Sequence, residues 1–594
     1  MRFFVPLAAL ILQLPPTTNT QAPASIEGMV VDNQMRPVAG AEVSSYWELP
    51  PLAYRANQVP RTNTDSAGKF VIPNLAPGGY RIGVNAPGYV FQTYGAKTVG
   101  VGSSARGMVI SLAPGQSVRE ITVRLTAAST ISGRVTASNG IPLSGMDVHA
   151  LRVAYDSSGS KTLVSDSGSQ TDDRGEYRLT GMGPGRYYVR AETPYFSTNQ
   201  NEVLQRMGRP PVSSGFYATT YYPGSGDFSA ATPVEVRESE KVQDINFVLP
   251  RLQTFRIRGH LLDVNGAPPA RPASDAKDKP PIRPMLGLLP IQPDYVGSTS
   301  MSVVPYCGTS RTCENPGGAF ELTDVAPGFY WLTGQISEPL TEAQRQIMQT
   351  PGADPSSFPQ PQRAVAAVRV TNSDIDGVEL RFYPKLSISG RALIDDSSLS
   401  TLSGVDSIRI EFRQSYAGSL GPIQNAALDP QGRFSTGNLL PGEYRVDVRG
   451  LPQQAFLVEA RLGDRDVSND LIRILAPQSD ELSIRLSAKS GRVGGVVVDS
   501  SSKPAANATV VLVPVQDSKR PDRYKTTTAL SDGRFEIEGL APGDYTAFSW
   551  QAIEDYSWFD PNILRQYESK GKLVHVVASS NEELQLTQIP TSAN

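Results

Sequence analysis

The chain has 594 residues, which at about 150 residues per domain corresponds to roughly four domains. Its 52 glycines and 48 prolines exceed the usual share and favour frequent turns over long helices. The net charge of -3, without blocks of like charge, argues against a nucleic-acid binder, which needs a basic surface to neutralise phosphates. Three histidines and two cysteines make a multi-ligand metal enzyme improbable, so we expect no metal and no cofactor.

Residues 1–24 are predicted to be a secretory signal peptide. Arg2 supplies the positive start, residues 3–14 are mostly apolar, and Ala22-Pro23-Ala24 fits the small-x-small pattern of a cleavage site. An apolar run of twelve residues is too short to span a bilayer as a helix, and no later stretch is longer. We therefore expect no transmembrane segment and an exported protein, either periplasmic or extracellular.

One pattern recurs five times, from a turn glycine through a strand to Pro-Gly-x-Tyr, and the tyrosine always lies twelve positions after the glycine. The turn glycines are Gly68, Gly175, Gly318, Gly432 and Gly533. The tyrosines are Tyr80, Tyr187, Tyr330, Tyr444 and Tyr545. Five matches at one fixed spacing indicate an internal repeat.

The pattern predicts a strand flanked by two reversals. In Asp65-Ser66-Ala67-Gly68 the aspartate can accept backbone N–H groups, and the glycine tolerates the positive φ of a turn. The following residues alternate apolar and polar, as in a half-buried strand. Pro77-Gly78 then fits the central positions of a type II turn, and Tyr80 opens the next strand. We therefore predict that each copy is a β-hairpin.

An opening strand and a closing strand frame each copy, so the sequence predicts an all-β chain of five tandem β-sandwich domains. Linkers of about eight residues should make neighbouring domains abut in a rod or an arc. The predicted domains are 25–127, 128–251, 252–385 with Pro-rich insertions, 386–488 and 489–594. Short helices are predicted at residues 199–207, at Glu342 to Met348, and after Asp560, which can cap a helix that starts with Pro561.

Residues that could perform chemistry are few. His149, His260 and His575 lie in three different domains, and none begins a His-x-x-Glu pair. No nucleophile elbow or phosphate-binding loop occurs. Four aspartates beside turn glycines could suggest calcium but lack the dense carboxylates of an EF-hand, so turn formation is the preferred interpretation. These are Asp65, Asp173, Asp429 and Asp532. We expect no enzymatic activity, although an unrecognised carboxylate pair across a sheet is the alternative.

Cys307 and Cys313 are the only thiols, and they are six positions apart in the predicted third domain. In an exported protein, such an isolated pair more often forms a disulfide than a redox or metal site. The closed loop would be short, so we predict a local disulfide of about 2 kcal/mol.

The first domain combines three motifs in a fixed order. These are Pro37-Val38-Ala39-Gly40-Ala41-Glu42-Val43, then Asp65-x-x-Gly68-x-Phe70, then Leu75-x-Pro77-Gly78-x-Tyr80. Together they resemble the carboxypeptidase regulatory-like module. The resemblance implies a transthyretin-like, Ig-like β-sandwich that is grouped with carbohydrate-binding-like folds, and it extends over nearly the whole mature chain. The zinc domain that precedes this module in metallocarboxypeptidases has no counterpart here, so the resemblance implies a fold and not a reaction.

The sequence leaves three functions open. The preferred one is a non-catalytic structural or protein-interaction scaffold of the cell envelope or secretome, with an envelope protein as partner. A carbohydrate-binding array is the first alternative, and a regulatory component associated with a peptidase is the second. For a polysaccharide ligand, the predicted binding residues are Trp550, Tyr556, Trp558 and Phe559, whose flat rings could stack on sugars. The preferred interpretation of these aromatics, however, is that Trp550 and Trp558 pack onto the short helix after Asp560 and cap the array.

Overall fold

The structure is a computed structural model, and nearly all its regular elements are β-strands. Among the residues that it describes, no helix is long and apolar enough to cross a membrane. The described residues are 23–47, 59–96, 107–155, 159, 161–194, 216–268, 285–291, 302–305, 318–336, 342–348, 361–383, 386–395, 404–414, 424–475 and 478–590.

The first domain consists of two sheets packed around one core. Its strands are β1 (Ala24–Asp32), β2 (Glu42–Trp47), β3 (Arg61–Asn63), β4 (Lys69–Leu75), β5 (Gly78–Asn85), β6 (Gln92–Thr93), β7 (Ile110–Leu112) and β8 (Ser117–Leu125). One sheet has the order β4-β1-β8, and the other has the order β3-β2-β5-β6, with β7 also paired to β5. Ile26, Ile72, Tyr80 and Leu125 are buried between them. This two-sheet plan recurs in every domain.

The second domain repeats the plan, with sheet orders β12-β9-β17 and β11-β10-β13-β15. In addition, β18 pairs with β9 and β16 pairs with β13. Its strands are β9 (Ser129–Ala137), β10 (Asp147–Tyr155), β11 (Lys161–Gln170), β12 (Glu176–Met182), β13 (Gly185–Glu192), β14 (Phe216–Tyr217), β15 (Thr220–Tyr221), β16 (Val234–Val236), β17 (Lys241–Val242) and β18 (Phe247–Leu249). Strand β14 pairs with β19 (Arg251–Leu252), which leads into the third domain.

The third domain has sheets β23-β20-β26 and β22-β21-β24-β25. Its strands are β20 (Phe255–Leu262), β21 (Met285–Pro290), β22 (Ser302–Pro305), β23 (Ala319–Val325), β24 (Gly328–Ile336), β25 (Gln362–Val370) and β26 (Ile375–Arg381). Strand β21 follows the Pro-rich segment and occupies the place that β2 has in the first domain. The predicted helix from Glu342 to Met348 is confirmed as α1 (Glu342–Met348).

The fourth domain extends one of its sheets, so that the orders are β30-β27-β35-β32-β33 and β29-β28-β31-β34. The two added strands form a hairpin on the closing strand. The strands are β27 (Leu386–Ile394), β28 (Arg409–Gln414), β29 (Gln424–Ala427), β30 (Arg433–Leu439), β31 (Gly442–Arg449), β32 (Phe456–Leu462), β33 (Arg465–Asp466), β34 (Ile472–Ile474) and β35 (Leu482–Ser487).

The fifth domain has sheets β39-β36-β42 and β38-β37-β40-β41. Its strands are β36 (Gly491–Val498), β37 (Thr509–Pro514), β38 (Lys525–Thr528), β39 (Arg534–Leu540), β40 (Gly543–Trp550), β41 (Lys572–Val576) and β42 (Asn581–Thr587). The helix predicted after Asp560 is confirmed as α2 (Pro561–Gln566), and the Asp560 carboxylate accepts the N–H of Asn562 at 2.8 Å. The helix predicted at residues 199–207 lies outside the described residues.

Each main core draws its side chains from one predicted domain, as expected of a tandem array of β-sandwiches. The five cores extend over residues 24–125, 131–249, 255–382, 386–486 and 493–586. The all-β fold class is therefore confirmed, whereas the boundary residues of the domains stay predictions.

A glycine in the opening strand of each domain lets the closing strand approach closely. The opening and closing strands pair in parallel, as β1 does with β8. A Cβ atom on Gly28 would lie 2.3 Å from the carbonyl oxygen of Ile121, and one on Gly390 would lie 2.1 Å from that of Leu482. Any other residue would clash with the backbone there, so the glycine is a packing requirement of the parallel pair.

The predicted Pro-Gly hairpin is wrong. Strands β4 and β5 flank Pro77-Gly78 but belong to different sheets, since β4 pairs with β1 and β5 pairs with β2. Gly78 has a φ of 152°, far from the value of about +80° of a type II turn. The Pro-Gly segment is therefore a corner where the chain crosses from one sheet to the other.

Candidate functional site

The aromatic residues predicted to bind sugars form a cluster on the outer face of sheet β38-β37-β40-β41. Trp550 ends β40, and Trp558 lies in the 3-10 turn Ser557–Phe559. Alternation along β40 sends Tyr545 into the domain core and Trp550 into this second cluster. The members of the aromatic cluster are Val511, Val513, Tyr524, Phe548, Trp550, Ile553, Tyr556, Trp558, Phe559, Leu564, Tyr567 and Ile589.

The rings in the aromatic cluster contact one another. The ring of Phe548 stacks on Trp550 with centroids 5.1 Å apart, and Tyr567 meets Trp550 edge-on at 5.7 Å. Tyr556 lies 5.8 Å from Trp558, centroid to centroid. Such aromatic pairs stabilise a fold beyond the apolar area that they bury.

Burial separates the four predicted binding residues into two pairs. Trp550 is 1% exposed and Trp558 is 4% exposed, because the segment after β40 and helix α2 cover them. Tyr556 and Phe559 are half-buried. A sugar needs an accessible ring face, so the burial of both tryptophans favours the interpretation in which they pack beneath the short helix.

The five repeat tyrosines share one contact that sequence reasoning missed. Each hydroxyl donates to the backbone carbonyl oxygen four residues earlier, across the corner between the sheets. The donors and acceptors are Tyr80 to Ala76, Tyr187 to Gly183, Tyr330 to Ala326, Tyr444 to Leu440 and Tyr545 to Ala541, at 2.7–2.9 Å. This is a tyrosine corner, a device known from Ig-like sandwiches. The fixed Pro-Gly-x-Tyr spacing was the available signal.

The turn glycines adopt the positive φ that the sequence predicts. The values are 72° at Gly68, 73° at Gly175, 74° at Gly318, 76° at Gly432 and 78° at Gly533. Positive φ at these positions is costly for other residues, which have a Cβ atom. The five glycines and five tyrosines are therefore structural residues of the repeat.

The turn aspartates act as backbone acceptors, which supports the interpretation preferred over calcium binding. Asp65 Oδ1 accepts the N–H groups of Ala67 and Lys69, both at 2.8 Å. Asp429 makes the equivalent pair of bonds. In the second domain Asp172, and not the predicted Asp173, holds this position.

In the fifth domain Asp532 bonds only to Arg534 within its turn, through the backbone N–H and the guanidinium. Among the described residues, no group of three or more His, Cys, Asp or Glu side chains is placed to hold a metal ion.

The three histidines remain in separate domains. Nδ1 of His149 lies 3.1 Å from the hydroxyl of Ser165, and Nδ1 of His575 lies 2.7 Å from Asp544 Oδ1 on an exposed edge. Burial, with the charge of Arg190, lowers the pKa of His149. His260 is exposed. Cys307 and Cys313 lie outside the described residues, so their disulfide stays a prediction.

A buried arginine joins the fourth and fifth domains. The guanidinium of Arg520, 5% exposed, donates to the carbonyl oxygens of Val458 at 2.9 Å and Leu457 at 3.1 Å in the fourth domain. The same guanidinium forms a salt bridge of 2.8 Å with Asp522, so the charge of Arg520 is paired within the fifth domain. Arg523 lies 5.4 Å from the ring centroid of Phe456. These contacts fix one domain against the next.

Other neighbouring domains also touch through polar contacts. The side chain of Asn33 in the first domain donates to Glu238 of the second at 2.6 Å, and the same carboxylate accepts the N–H of Ala127 at 3.3 Å. Between the second and third domains, Phe216 of β14 pairs with Leu252 of β19. The first junction therefore uses side chains and a backbone N–H, and the second uses strand pairing.

Five two-sheet domains with recurring tyrosine corners and contacting junctions define a tandem β-sandwich protein. The sequence model of the carboxypeptidase regulatory-like domain matches residues 25–126 and 130–212. The resemblance is thereby confirmed for these two tandem segments. The other three domains repeat the same two-sheet plan.

Comparison with individual proteins gives distant similarities. Colossin-A from Dictyostelium discoideum is 20% identical over 576 residues, which cover 82% of this chain and only 5% of that protein. The Bacillus anthracis TIE protein is 10% identical with a TM-score of 0.15, covering 77% of this chain and 72% of its own. The shaft pilin spaA from Lactobacillus rhamnosus GG is 11% identical with a TM-score of 0.16, and the match covers 39% of this chain and 99% of the pilin chain. At these identities and scores, no function transfers to this chain.

Proposed function

We propose that this protein is a non-catalytic structural scaffold, exported to the cell envelope or its surroundings, that holds binding surfaces for an envelope protein at fixed positions. The observation that carries the proposal is the Arg520 junction, since a buried guanidinium bonded to two backbone carbonyls resists rotation between domains. A scaffold needs domains with separate cores and stiff connections. The five cores, each within one domain, meet the first requirement, and the junctions meet the second.

The carbohydrate-binding alternative is less well supported. Its two tryptophans are covered by their own domain, which leaves Tyr556 and Phe559 as half-buried rings. A role as a regulatory component of a peptidase rests on the family match alone. The scaffold therefore remains the preferred function.

Titration of the full chain with soluble polysaccharides, followed by tryptophan fluorescence, separates the scaffold from the carbohydrate-binding array. The scaffold predicts no saturable binding. It also predicts that Trp558→Ala destabilises the fifth domain by about 3–5 kcal/mol, because a buried ring is replaced by a cavity. Leu573→Ala, at a 67% exposed position of the same domain, is the matched control. Saturable binding that Trp558→Ala abolishes at unchanged stability would overturn the proposal.

Export is tested separately by fractionating the producing cells and measuring the intact mass of the recovered chain. Cleavage after Ala24 gives a mature chain that begins at Ser25. Recovery of the uncleaved chain from the cytoplasm alone would contradict export and leave the scaffold architecture unaffected.

A further inference from the structure

The second and fifth domains touch each other although two whole domains separate them along the chain. The contact joins the end of strand β10 to the segment that precedes helix α2. The Arg152 guanidinium lies 3.2 Å from a carboxylate oxygen of Glu554, and the Tyr155 hydroxyl donates to Asp560 at 2.8 Å. These partners are 402 and 405 positions apart in sequence.

The polar groups at this contact are partly buried and paired. Arg152 also binds Asp166 of its own domain at 2.9 Å, so that its charge is shared between an internal and an external carboxylate. Burial, followed by the hydrogen bond to Asp560, raises the pKa of Tyr155. Burial raises the pKa of Asp560, but hydrogen bonds from the Asn562 N–H and the Tyr155 hydroxyl, together with the charge of Lys161, lower it further than burial raises it. The net effect is a lowered pKa. Both domains thus contribute to one electrostatic arrangement.

An apolar contact accompanies the polar ones. Gly159 of the second domain faces Phe559, and a Cβ atom on this glycine would lie only 2.7 Å from the Cβ atom of Phe559. On its other side the ring of Phe559 packs on Tyr524 at 4.4 Å, centroid to centroid. The half-buried Phe559, which the sequence predicts to bind sugars, therefore contacts another domain of the same chain.

We propose that residues 554–560, here called the latch, dock on the second domain and close domains two to five into a ring, with the first domain outside it. An interface this small would be weak between separate molecules. Within one chain, the effective concentration of the partner surface is of millimolar order or above when the connecting domains hold it in place. The proposal goes beyond the scaffold function, because it assigns the array a closed shape in place of the expected rod.

Carbodiimide crosslinking of the full chain followed by mass spectrometry tests the latch. The Lys161 amine lies close enough to Asp560 to affect its pKa, so we expect an amide crosslink from Lys161 to Asp560 or Glu554. Gly159→Ala places a methyl group against Phe559 and should open the latch. Gly140→Ala is the matched control, because Gly140 lies in the same domain with a φ of 80°, against 81° at Gly159, and has open space around it. Both variants therefore carry the same backbone strain.

The latch predicts a crosslink yield that falls at least about tenfold in Gly159→Ala, equivalent to about 1.4 kcal/mol, and stays unchanged in Gly140→Ala. Mixing unlabelled and ¹⁵N-labelled chains before the reaction identifies which chain supplies each half of the crosslink. Crosslinks within single chains support the ring. Crosslinks that join two chains only, no crosslink in the wild type, or an unchanged yield in Gly159→Ala would each overturn it.

Discussion

A single hydroxyl closes each sandwich where the chain changes sheets. In the fourth domain, the Tyr444 hydroxyl donates to the Leu440 carbonyl at 2.7 Å inside the core. The ring of Tyr444 is buried as well. Tyr444 therefore adds apolar area to the core and supplies a hydrogen-bond donor to the Leu440 carbonyl. An unsatisfied buried carbonyl is costly, which explains why tyrosine, and not phenylalanine, occupies this position in all five copies.

Tyr444→Phe should therefore destabilise the fourth domain by about 1–3 kcal/mol, because the ring is retained while the Leu440 carbonyl loses its donor. Urea unfolding of the full chain, monitored by hydrogen exchange within residues 386–486, gives the value. Tyr46→Phe, at a 38% exposed position of the first domain, is the control. Exchange within residues 24–125 should show that it changes the stability of that domain by less than about 0.5 kcal/mol. Equal effects of the two variants would contradict the structural role of the corner.

The turn carboxylate of Asp429 makes the stability of the same domain depend on pH. The Arg433 backbone N–H lowers the pKa of Asp429, burial opposes this, and the Arg433 guanidinium, at 2.9 Å, and the Gln431 N–H add to the lowering. Since the folded pKa lies below the unfolded value, the contribution is present above about pH 4 and is lost as pH falls through the folded pKa.

Asp429→Asn should therefore lower stability at pH 7 and differ progressively less from the wild type as the pH falls below about 4. Thermal unfolding of both proteins from pH 2 to pH 7 measures the difference. Asp470→Asn, at a carboxylate 64% exposed in the same domain, serves as the control. A difference between wild type and Asp429→Asn that is constant with pH would exclude the ionised carboxylate as its cause.

At the scale of elements, the sequence predicts where strands and turns lie better than it predicts which strands pair. Alternation identifies a strand, and Asp-x-x-Gly identifies a turn, because both depend on neighbouring residues. A twelve-position spacing is equally compatible with a hairpin and with a crossing between sheets, which is why the Pro-Gly segment was misassigned. Alternation along β40 separates the face of Trp550 from that of Tyr545. It cannot decide between an exposed sugar platform and packing beneath the short helix, because α2 lies beyond the strand.

Arg520→Met should uncouple the fourth and fifth domains. The variant retains an apolar stem but removes the guanidinium donor of the Leu457 carbonyl, and it leaves Val458 with only the longer bond from Arg523 at 3.4 Å. We expect a cost of about 1–3 kcal/mol. Calorimetry of the full chain should show the transitions of these two domains moving apart. Arg534→Met removes a 70% exposed guanidinium of the fifth domain that pairs with Asp532, and should have little effect. Identical scans for both variants would show that the Arg520 junction does not couple the two domains.

At the scale of the whole molecule, two features act in opposite directions. Separate cores allow each domain to unfold alone, whereas the junctions and the latch transmit part of any loss to the domains in contact. Contacts between residues 400 positions apart leave no periodic signal in a single sequence, so the latch could not be predicted, and the expected rod or arc did not include it. A substitution that destabilises one domain distinguishes independent unfolding from transmitted unfolding, because hydrogen exchange shows which other domains lose protection of their amides.

Gly432→Val is such a substitution, because its β-branched side chain meets a φ of 76° and should cost the fourth domain about 1–3 kcal/mol. Hydrogen exchange across the full chain should then be faster throughout residues 386–486, with a smaller change around Arg520. The first domain should not change, because it has no described contact with the fourth. Gly437→Val is the matched control, since Gly437 lies in the same domain without positive φ and with open space around it. Uniform loss of protection in all five domains would show that the cores are not separate, and loss confined to the fourth domain would show that the Arg520 junction transmits nothing.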